Sequence, residues 1–379
     1  MTDRAERQIA RVLAELDALG ARIAIERPGR ETVRVGPAPA LARVVYHAPD
    51  ALAPLARGDV TALAEAYLHG AFDVEGDFLE AAKIATVLAP GPTRRERLRY
   101  AARHLFATRR RLQRESVAFH YDRPAAFFLP WLDRTRSYSH GLYASPDEAP
   151  ADAQARKLDR AIGALGLRPG MDVFDMGCGW GAFLEHAGRR GIRVHGITLS
   201  GEQHAFCTEL IRAQGLPCTV ERVDFLDYRP RQPFDGAVFM GTLEHFPDYA
   251  YAARFLARHL RPGAGVWADF CTASGGHTPG AFLARWIFPP PASYVRVPRL
   301  LAALERAGFL AWELGDDTPS YALSCRDWAD ALERERKALA QRFGEATVRA
   351  FQVYLRASQL FFATGRTRAA HLVALPLEA

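Results

Sequence analysis

The sequence predicts an α/β protein in which a small N-terminal α+β unit precedes a larger domain built on a parallel sheet. The chain has 379 residues, which is long for a single hydrophobic core and favours two domains. From Leu158 onward, short segments rich in Val, Ile and Phe alternate with helical patterns. Such alternation is typical of a parallel sheet that helices cover on both faces.

Five segments are predicted to form the strands of the larger sheet. Each segment is short and rich in the residues that favour strands, and a helical pattern separates it from the next. In chain order they are MDVFDM from Met171, IRVHGIT from Ile192, CTVERVD from Cys218, FDGAVFM from Phe234 and AGVWADF from Ala264.

The N-terminal unit is predicted to combine two helices with a small sheet. Residues Ala5 to Ala24 have an amphipathic helical pattern. The alternating residues on either side of Pro28-Gly29 predict a hairpin, and ARVVYHAP from Ala42 predicts a further strand. A second helix is expected to end near Gly70.

A proline- and glycine-containing segment, Ala89 to Thr93, marks the end of this unit. We therefore expect an N-terminal domain at 1–89, a basic helical linker at 90–118 and a main domain at 119–379. Nine arginines lie between Arg94 and Glu115. This segment is either a solvated helical linker or a basic amphipathic helix on anionic lipid headgroups, where each cation contributes about 1 kcal/mol.

Charge and cysteine content narrow the class of protein. The net charge of +6 is compatible with an anionic membrane surface, with nucleic acid or with neither. The cysteines are odd in number and lack the paired spacing of metal ligands, so we expect no metal, no disulfide framework and a cytoplasmic location. The start lacks an apolar signal core, and no apolar run is long enough to span a bilayer. The cysteines are Cys178, Cys207, Cys218, Cys271 and Cys325.

A glycine-rich turn follows the first predicted strand of the main domain. The strand ends at Asp175, and Gly177, Gly179 and Gly181 follow at alternate positions before a helix begins. Glycines allow a tight turn and close approach to a ligand, and a helix N-terminus favours a carboxylate. The Asp175 carboxylate suits an ammonium group. S-adenosylmethionine carries both groups, whereas the glycine spacing of dinucleotide sites is absent.

The second strand ends in a segment that we expect beside the ribose of this cofactor. Thr198, Leu199 and Gln203 lie at the carboxyl edge of the sheet, where ligands of such folds bind. Ser200 and Gln203 also have the spacing of a capping box that starts the next helix.

The third strand ends in residues that we expect at the adenine ring. Asp224 can accept a hydrogen bond from the adenine amino group, and Phe225 can pack on the base. Asp227 is the alternative acceptor, because the length of the loop leaves the register open.

These segments, with several others, resemble the cyclopropane-fatty-acyl-phospholipid synthase family, which includes the mycolic acid cyclopropane synthases. The resemblance covers nearly the whole chain and implies a Rossmann-like class I methyltransferase sheet with added lid helices, plus the small N-terminal domain. The motifs are HYDRPAAFF from His120, RSYSHGLY from Arg136, GITLSGEQ from Gly196, FMGTLEHF from Phe239 and SYALSCRDW from Ser320.

The resemblance implies S-adenosylmethionine-dependent methyl or methylene transfer to the double bond of an unsaturated fatty acyl chain. Members of the family use a bound bicarbonate as base, held by a glutamate, a tyrosine, a cysteine and a histidine. The first two correspond to Glu244 and Tyr321, but the cysteine corresponds to His140 and the histidine to Phe270. Two of the four contacts are therefore altered.

Two interpretations of this alteration remain open. His140 can replace the cysteine as an anion donor or act as the base itself, since histidine accepts a proton near neutral pH. Alternatively, proton removal is changed and the product is methyl-branched or otherwise modified. The adjacent Tyr138 and Ser139 are expected at the cofactor, with Tyr138 beside the methionine tail or the transferring methyl group.

Three other function classes are alternatives to a lipid methyltransferase. A nucleic-acid methyltransferase is disfavoured, because GTLEHF from Gly241 stands where amino-methylating enzymes carry Asn- or Asp-Pro-Pro-aromatic. A small-molecule C-methyltransferase and a non-catalytic lipid-binding protein remain alternatives. The expected partners are phospholipid acyl chains at the inner membrane surface, reached by a peripheral enzyme, and a second copy in a homodimer.

Overall fold

The computed structural model of the protein describes residues 3–88, 120, 122–246, 248–273, 280–289 and 293–377. It contains a four-stranded sheet near the N-terminus and a seven-stranded sheet in the rest of the chain. The predicted α/β class, with a smaller N-terminal sheet, is thereby confirmed.

The N-terminal sheet has the strand order β2-β1-β3-β4. Its predicted hairpin is present as the antiparallel pair β1–β2, and β3 lies parallel to β1. The sequence did not predict β4, which pairs antiparallel with β3. The elements are α1 (Asp3–Ala18), β1 (Ile23–Glu26), β2 (Val33–Val35), β3 (Ala42–Tyr46), a 3-10 turn (Pro49–Leu52), α2 (Ala53–Arg57), α3 (Val60–Leu68), β4 (Phe72–Gly76), α4 (Phe78–Ala82) and α5 (Ile84–Leu88).

The first helix ends six residues before the predicted limit of Ala24. Gly20 adopts a left-handed φ of 64°, and the Ala21 amide donates back to the Leu16 carbonyl, as at many helix C-termini. The chain then enters β1 at Ile23. The apolar residues that had extended the helical pattern therefore belong to a strand.

The larger sheet has the strand order β10-β11-β9-β8-β5-β6-β7. All five predicted strands are present as β5 to β9 and pair in parallel. The sequence did not predict β10 or β11, and β11 lies antiparallel to both of its neighbours. The strands are β5 (Asp172–Met176), β6 (Arg193–Thr198), β7 (Thr219–Arg222), β8 (Phe234–Met240), β9 (Leu260–Thr272), β10 (Phe309–Asp316) and β11 (Arg368–Pro376).

Helices cover both faces of this sheet. Along β5, Val173 belongs to one apolar cluster and Phe174 to another, as the alternation of side chains in a doubly covered strand requires. The helices are α6 (Ala125–Phe128), α7 (Pro150–Ala164), α8 (Ala182–Gly188), α9 (Gly201–Gln214), α10 (Tyr249–His259), α11 (Ala281–Trp286), α12 (Val297–Arg306), α13 (Thr318–Arg334), α14 (Arg336–Phe343) and α15 (Glu345–Ala363).

The N-terminal unit packs against α15. The Tyr67 hydroxyl donates to Gln352 Oε1 at 2.5 Å, and Arg349 forms an ion pair with Asp73 at 2.6 Å. One apolar cluster runs continuously through both parts of the chain. The proposed linker at 90–118 lies outside the described residues, so the domain limits remain predictions.

None of the helices in the described parts of the chain is long and apolar enough to cross a bilayer.

Candidate active site

The glycine-rich turn has a backbone conformation that residues with a Cβ rarely adopt. Gly177, Gly179 and Gly181 all have positive φ, at 80°, 54° and 78°. A Cβ on Gly177 would lie 2.5 Å from Thr242 Cγ2, whereas a Cβ on Gly179 would meet nothing within 4 Å. The turn therefore closes against the end of β8 on one side and leaves open space beside Gly179, which suits a ligand that approaches the backbone.

Two buried carboxyl groups, Asp175 and Asp269, lie near the carboxyl ends of β5 and β9, which flank β8 in the sheet. Burial raises the pKa of Asp175 to about 7, with a further increase from Asp269 and an opposing effect of Lys157. Asp269 is fully buried, and within the described structure neither of its oxygens accepts a hydrogen bond. Lys157 Nζ lies 3.7 Å from Asp269 Oδ2. The positive charge of an ammonium or sulfonium group on a ligand would balance the negative charge of these buried carboxylates. The residues therefore fit S-adenosylmethionine.

The segment before α7 forms one wall of the site. Lys157 Nζ donates to Ser139 Oγ at 2.6 Å and to Ser137 Oγ at 3.3 Å. A Cβ on Gly241, just after β8, would lie 3.1 Å from Ser139 Cβ. The structure thus places Ser139 against the carboxyl edge of the sheet. The neighbouring Tyr138 ring packs among four aromatic rings, with centroid distances of 5.3–5.7 Å.

Arg136 fixes this wall to the glycine-rich turn, a role that sequence analysis missed. Its φ of 62° is uncommon for a residue with a Cβ. Its Nε donates to the Trp180 carbonyl at 3.2 Å, and its guanidinium pairs with Glu185 of α8. Nothing local in the sequence marks Arg136, because both partners lie more than 40 residues away.

The end of β6 has the predicted cap. Ser200 Oγ accepts from the Gln203 amide at 3.3 Å, and Thr198 Oγ1 donates to Gln203 Oε1 at 2.8 Å. Leu199 is half-buried, and its carbonyl accepts from Arg222. These residues lie together at the carboxyl edge of the sheet, and their contact with a ribose remains a prediction.

The two candidates for the adenine ring lie in different surroundings. Asp224 is half-buried, and its Oδ1 accepts from the Leu226 amide at 2.9 Å. Phe225 is buried, and its ring packs edge-on against those of Phe246 and Phe255 at 4.9 and 4.8 Å. The alternative, Asp227, is exposed. The surroundings favour Asp224 over Asp227, while stacking of Phe225 on a base remains a prediction.

Glu244 lies beside Cys271 at the end of β9. Glu244 Oε1 accepts from the Cys271 amide at 2.6 Å. The other oxygen, Oε2, is buried and has no hydrogen-bond partner among the described residues. Burial raises the pKa of Glu244 to about 7, although the Cys271 amide opposes this rise.

Tyr321 of α13 is the second predicted catalytic residue. Its ring stacks on Phe362 at 4.2 Å and lies 4.9 Å from the His140 ring. Burial raises its pKa well above the ordinary value. Tyr321 therefore keeps its proton.

His140, the third predicted catalytic residue, is buried beside Tyr321. Its Nε2 lies 2.9 Å from Asp317 Oδ2. Phe270 is fully buried in an apolar cluster, whereas the adjacent Asp269 and Cys271 lie on the side of the site. This alternation is expected of a strand. The polar groups at this end of β9 are therefore Asp269 and Cys271, and the Phe270 ring lies in the core.

His245 directly follows Glu244 and is a poor proton acceptor. Burial lowers its pKa to about 4, and its ring lies 5.4 Å from that of Phe288. No group of His, Cys, Asp and Glu side chains in the described ranges has the geometry of a metal site.

Substitution of Asp175 by Asn tests the proposed ammonium contact. We expect S-adenosylmethionine to bind about 10- to 100-fold more weakly, since hydrogen bonds to charged groups contribute about 1.5–3 kcal/mol. In the unsubstituted protein, affinity should fall as the pH drops through about 7, because Asp175 then binds a proton.

Isothermal titration with S-adenosylhomocysteine between pH 6 and 8 measures both effects. Asp159→Asn, which changes an exposed carboxylate paired with His186, is the control. Equal affinity and equal pH dependence in the Asp175 variant and the control would exclude the contact.

Comparison with known proteins gives a consistent set of relatives. The profile of the mycolic acid cyclopropane synthetase family matches residues 108–372. A probable fatty acid methyltransferase of Pseudomonas putida is 29% identical over 343 residues, covering 87% of this chain and 86% of the relative. Methoxy mycolic acid synthase MmaA3 of Mycobacterium tuberculosis is 31% identical over 251 residues, covering 60% and 84%. Mycolic acid cyclopropane synthase CmaA1, solved with SAH and CTAB, is 25% identical with a TM-score of 0.65, covering 69% and 98%.

Proposed function

This chain belongs to the mycolic acid cyclopropane synthetase family of S-adenosylmethionine-dependent lipid methyltransferases, and we propose that it modifies the double bond of unsaturated acyl chains in phospholipids. The family expected from the motifs is thereby confirmed. The observation that carries the proposal is the group formed by the buried His140 and the half-buried Glu244 and Tyr321, which lies among aromatic rings near the carboxyl edge of the sheet.

Aromatic side chains supply an apolar wall for a hydrocarbon substrate. Tyr321, Phe288 and Tyr354 are half-buried and belong to the apolar cluster around the site. Phe288 packs edge-on against Tyr354 at 5.7 Å. Such rings can contact an acyl chain, and a desolvated ring face stabilises a nearby cation by about 2 kcal/mol.

S-adenosylmethionine supplies an electrophilic methyl group to this site. The residues of the chain bind its charged tail at Asp175 and Asp269 and exclude water from the alkene. The Glu244 carboxylate stabilises positive charge that develops on the acyl chain, since a fixed anion is most effective in a dry site. Tyr321 keeps its proton, and its ring stacks on Phe362 beside the His140 ring.

Bicarbonate, the base inferred from the family, fits the site poorly. Glu244 Oε2 and Tyr321 could contact it, but the position expected to supply a histidine is Phe270, whose side chain lies in the core. We therefore assign proton removal to His140.

A second candidate reaction gives a methyl-branched chain instead of a ring. The altered base supports it, and the relative from Pseudomonas putida is described as a probable fatty acid methyltransferase. In both reactions the added carbon comes from the cofactor. The structure of the lipid product therefore distinguishes the two reactions.

Mass spectrometry of lipids from cells that express the chain tests the proposal. We expect unsaturated phospholipid chains to gain one methylene unit, and resistance of the product to hydrogenation would identify a ring. Cofactor turnover with a small molecule but not with unsaturated phospholipid would contradict the proposal. Failure to bind S-adenosylmethionine or release S-adenosylhomocysteine would instead indicate a non-catalytic lipid-binding protein.

Membrane docking is part of the same proposal. Three exposed apolar residues, Leu310, Trp312 and Leu314, lie along β10 at the edge of the sheet. Together with the net charge of +6, they support binding to an anionic bilayer. The basic segment 94–115, which lies outside the described residues, and the N-terminal unit are further proposed contacts with the bilayer or with a second copy.

Substitution of Trp312 by Ser should weaken this docking about tenfold, because burial of a large apolar side chain contributes about 1.5–3 kcal/mol. Co-sedimentation with vesicles of anionic phospholipid measures the effect, and vesicles of neutral phospholipid are the control. Unchanged binding to the anionic vesicles would remove β10 from the docking surface.

A further inference from the structure

A line of hydrogen-bonded ionisable groups leads from His140 to the protein surface. His140 Nε2 lies 2.9 Å from Asp317 Oδ2, and Asp317 lies 2.8 Å from His371 Nδ1. His371 Nε2 in turn lies 2.9 Å from Glu313 Oε1. His140, Asp317 and His371 are buried, while about a third of the Glu313 side chain is exposed.

The two carboxylates determine the protonation of His371. Each ring nitrogen of His371 faces a carboxylate oxygen, and a neutral imidazole would turn one lone pair towards one of them. Both nitrogens can donate only when the ring carries two protons. Burial alone would lower the pKa of His371, but the contacts with Asp317 and Glu313 raise it above the ordinary value.

The surrounding residues hold His371 in this position. Its ring stacks on Trp267 with centroids 4.9 Å apart and an interplanar angle of 4°. A Cβ on Gly315 would lie 2.1 Å from His371 Cε1, so glycine at this position of β10 makes room for the ring. The Asp317 amide donates to the Ala369 carbonyl of β11 at 2.9 Å, which fixes the carboxylate beside His371.

Asp317 also determines which nitrogen of His140 carries the proton. Burial would raise the pKa of Asp317, but its contacts with His140 and His371 hold it well below the ordinary value. The ionised carboxylate accepts a hydrogen bond from His140 Nε2, which leaves the lone pair on Nδ1. That Nδ1 is buried and has no hydrogen-bond partner in the part of the chain that the structure describes.

We propose that Asp317, itself held by a protonated His371, is a positioning residue that fixes His140 as the Nε2–H tautomer with Nδ1 as proton acceptor. The inference rests on the proposed function and deepens it. Two charged groups face this line from α7: Arg160, which forms an ion pair with Glu313, and Lys157, which interacts with Asp317 and Asp269. Its positive charge also keeps Asp317 ionised.

These groups are sufficient to accept and release the proton that the reaction removes. After the methyl group has joined the alkene, one C–H bond of the new carbon breaks. Its electron pair closes the ring, and the proton passes to His140 Nδ1. The resulting imidazolium retains its Nε2–H bond to Asp317, which stabilises the charge as in other carboxylate–histidine pairs. The proton returns to solvent when the product leaves.

Nitrogen-15 spectra of histidine-labelled full-length protein test the tautomer directly. We expect the neutral form of His140 to carry its proton on Nε2, and His371 to carry protons on both nitrogens. His140→Gln and His371→Gln assign the signals. A proton on Nδ1 of neutral His140 in the unsubstituted protein would overturn the proposal, and this measurement needs no active enzyme and no Asp317 variant.

Turnover of Asp317→Asn provides the second test. We expect kcat to fall by about 10²-fold or more, as when a histidine base is held in the wrong tautomer, while the Kd for S-adenosylhomocysteine stays unchanged. Asp159→Asn removes the contact of a carboxylate with His186 at 2.7 Å, remote from this line, and should leave kcat unaltered. An unchanged kcat in Asp317→Asn would contradict the positioning role. Expected spectra without any lipid turnover would instead refute the proposed function.

Discussion

Replacing Glu244 by Gln should lower the rate of methyl transfer by about 10²–10³-fold, the loss typical when one fixed electrostatic contact is removed from an active site. Glutamine retains an oxygen that can accept from the Cys271 amide, as Oε1 does at 2.6 Å. The substitution therefore removes the negative charge while preserving the local hydrogen bond. Cofactor affinity should stay unchanged.

The pH dependence of the same reaction provides an internal check. Glu244 acts as a carboxylate, and its pKa is raised to about 7 by burial. At saturating S-adenosylmethionine, activity should therefore rise as the pH increases through about 7, and the part of this rise that comes from Glu244 should be absent in Glu244→Gln. Initial rates of S-adenosylhomocysteine release between pH 6 and 8 measure both effects.

Stability should follow the opposite trend. Because the pKa of Glu244 is higher in the folded protein than in the unfolded chain, the folded state binds more protons between about 4.5 and 7. This group then stabilises the fold less as the pH rises through that range. Thermal unfolding at pH 8 should show no loss of stability in Glu244→Gln. A well-folded variant with full activity would remove Glu244 from the mechanism.

Substitution of His140 by Ala is expected to slow proton removal more than methyl transfer. General bases typically accelerate a reaction by about 10²–10⁴-fold. The variant lacks the imidazole of His140, whose Nε2 contacts Asp317 and whose Nδ1 is the proposed proton acceptor. S-adenosylhomocysteine should still form in a single turnover, while the final lipid product should form late or be replaced by a product of different structure.

Single-turnover analysis with a cofactor that carries a fully deuterated methyl group separates the two steps. A ring product retains two of the three deuterium atoms, because the third leaves as the proton. His186→Ala, which changes a histidine of α8 that pairs with Asp159 of α7, serves as control. An identical product profile and identical rates in His140→Ala would exclude His140 as the base.

The sequence by itself determined the features that short segments encode. Glycines at alternate positions after Asp175 define the turn, because only residues without a Cβ adopt positive φ cheaply. The Ser200–Gln203 spacing defines the start of a helix, and β-branched, apolar runs define β5 to β9. These signals depend on neighbours within a few residues, so the turn and the helix start that we expect at the cofactor could be predicted without the fold.

The tertiary structure alone decided how distant residues combine. His140 and Asp317 are 177 residues apart, and Asp317 and His371 are 54 apart. No local pattern encodes such pairs, because the positions of α13 and β11, where these residues meet, depend on the whole sheet. The same holds for Arg136, whose partners lie across the glycine-rich turn. The fold thus determined the surroundings of the proposed base, since burial and long-range hydrogen bonds set its protonation.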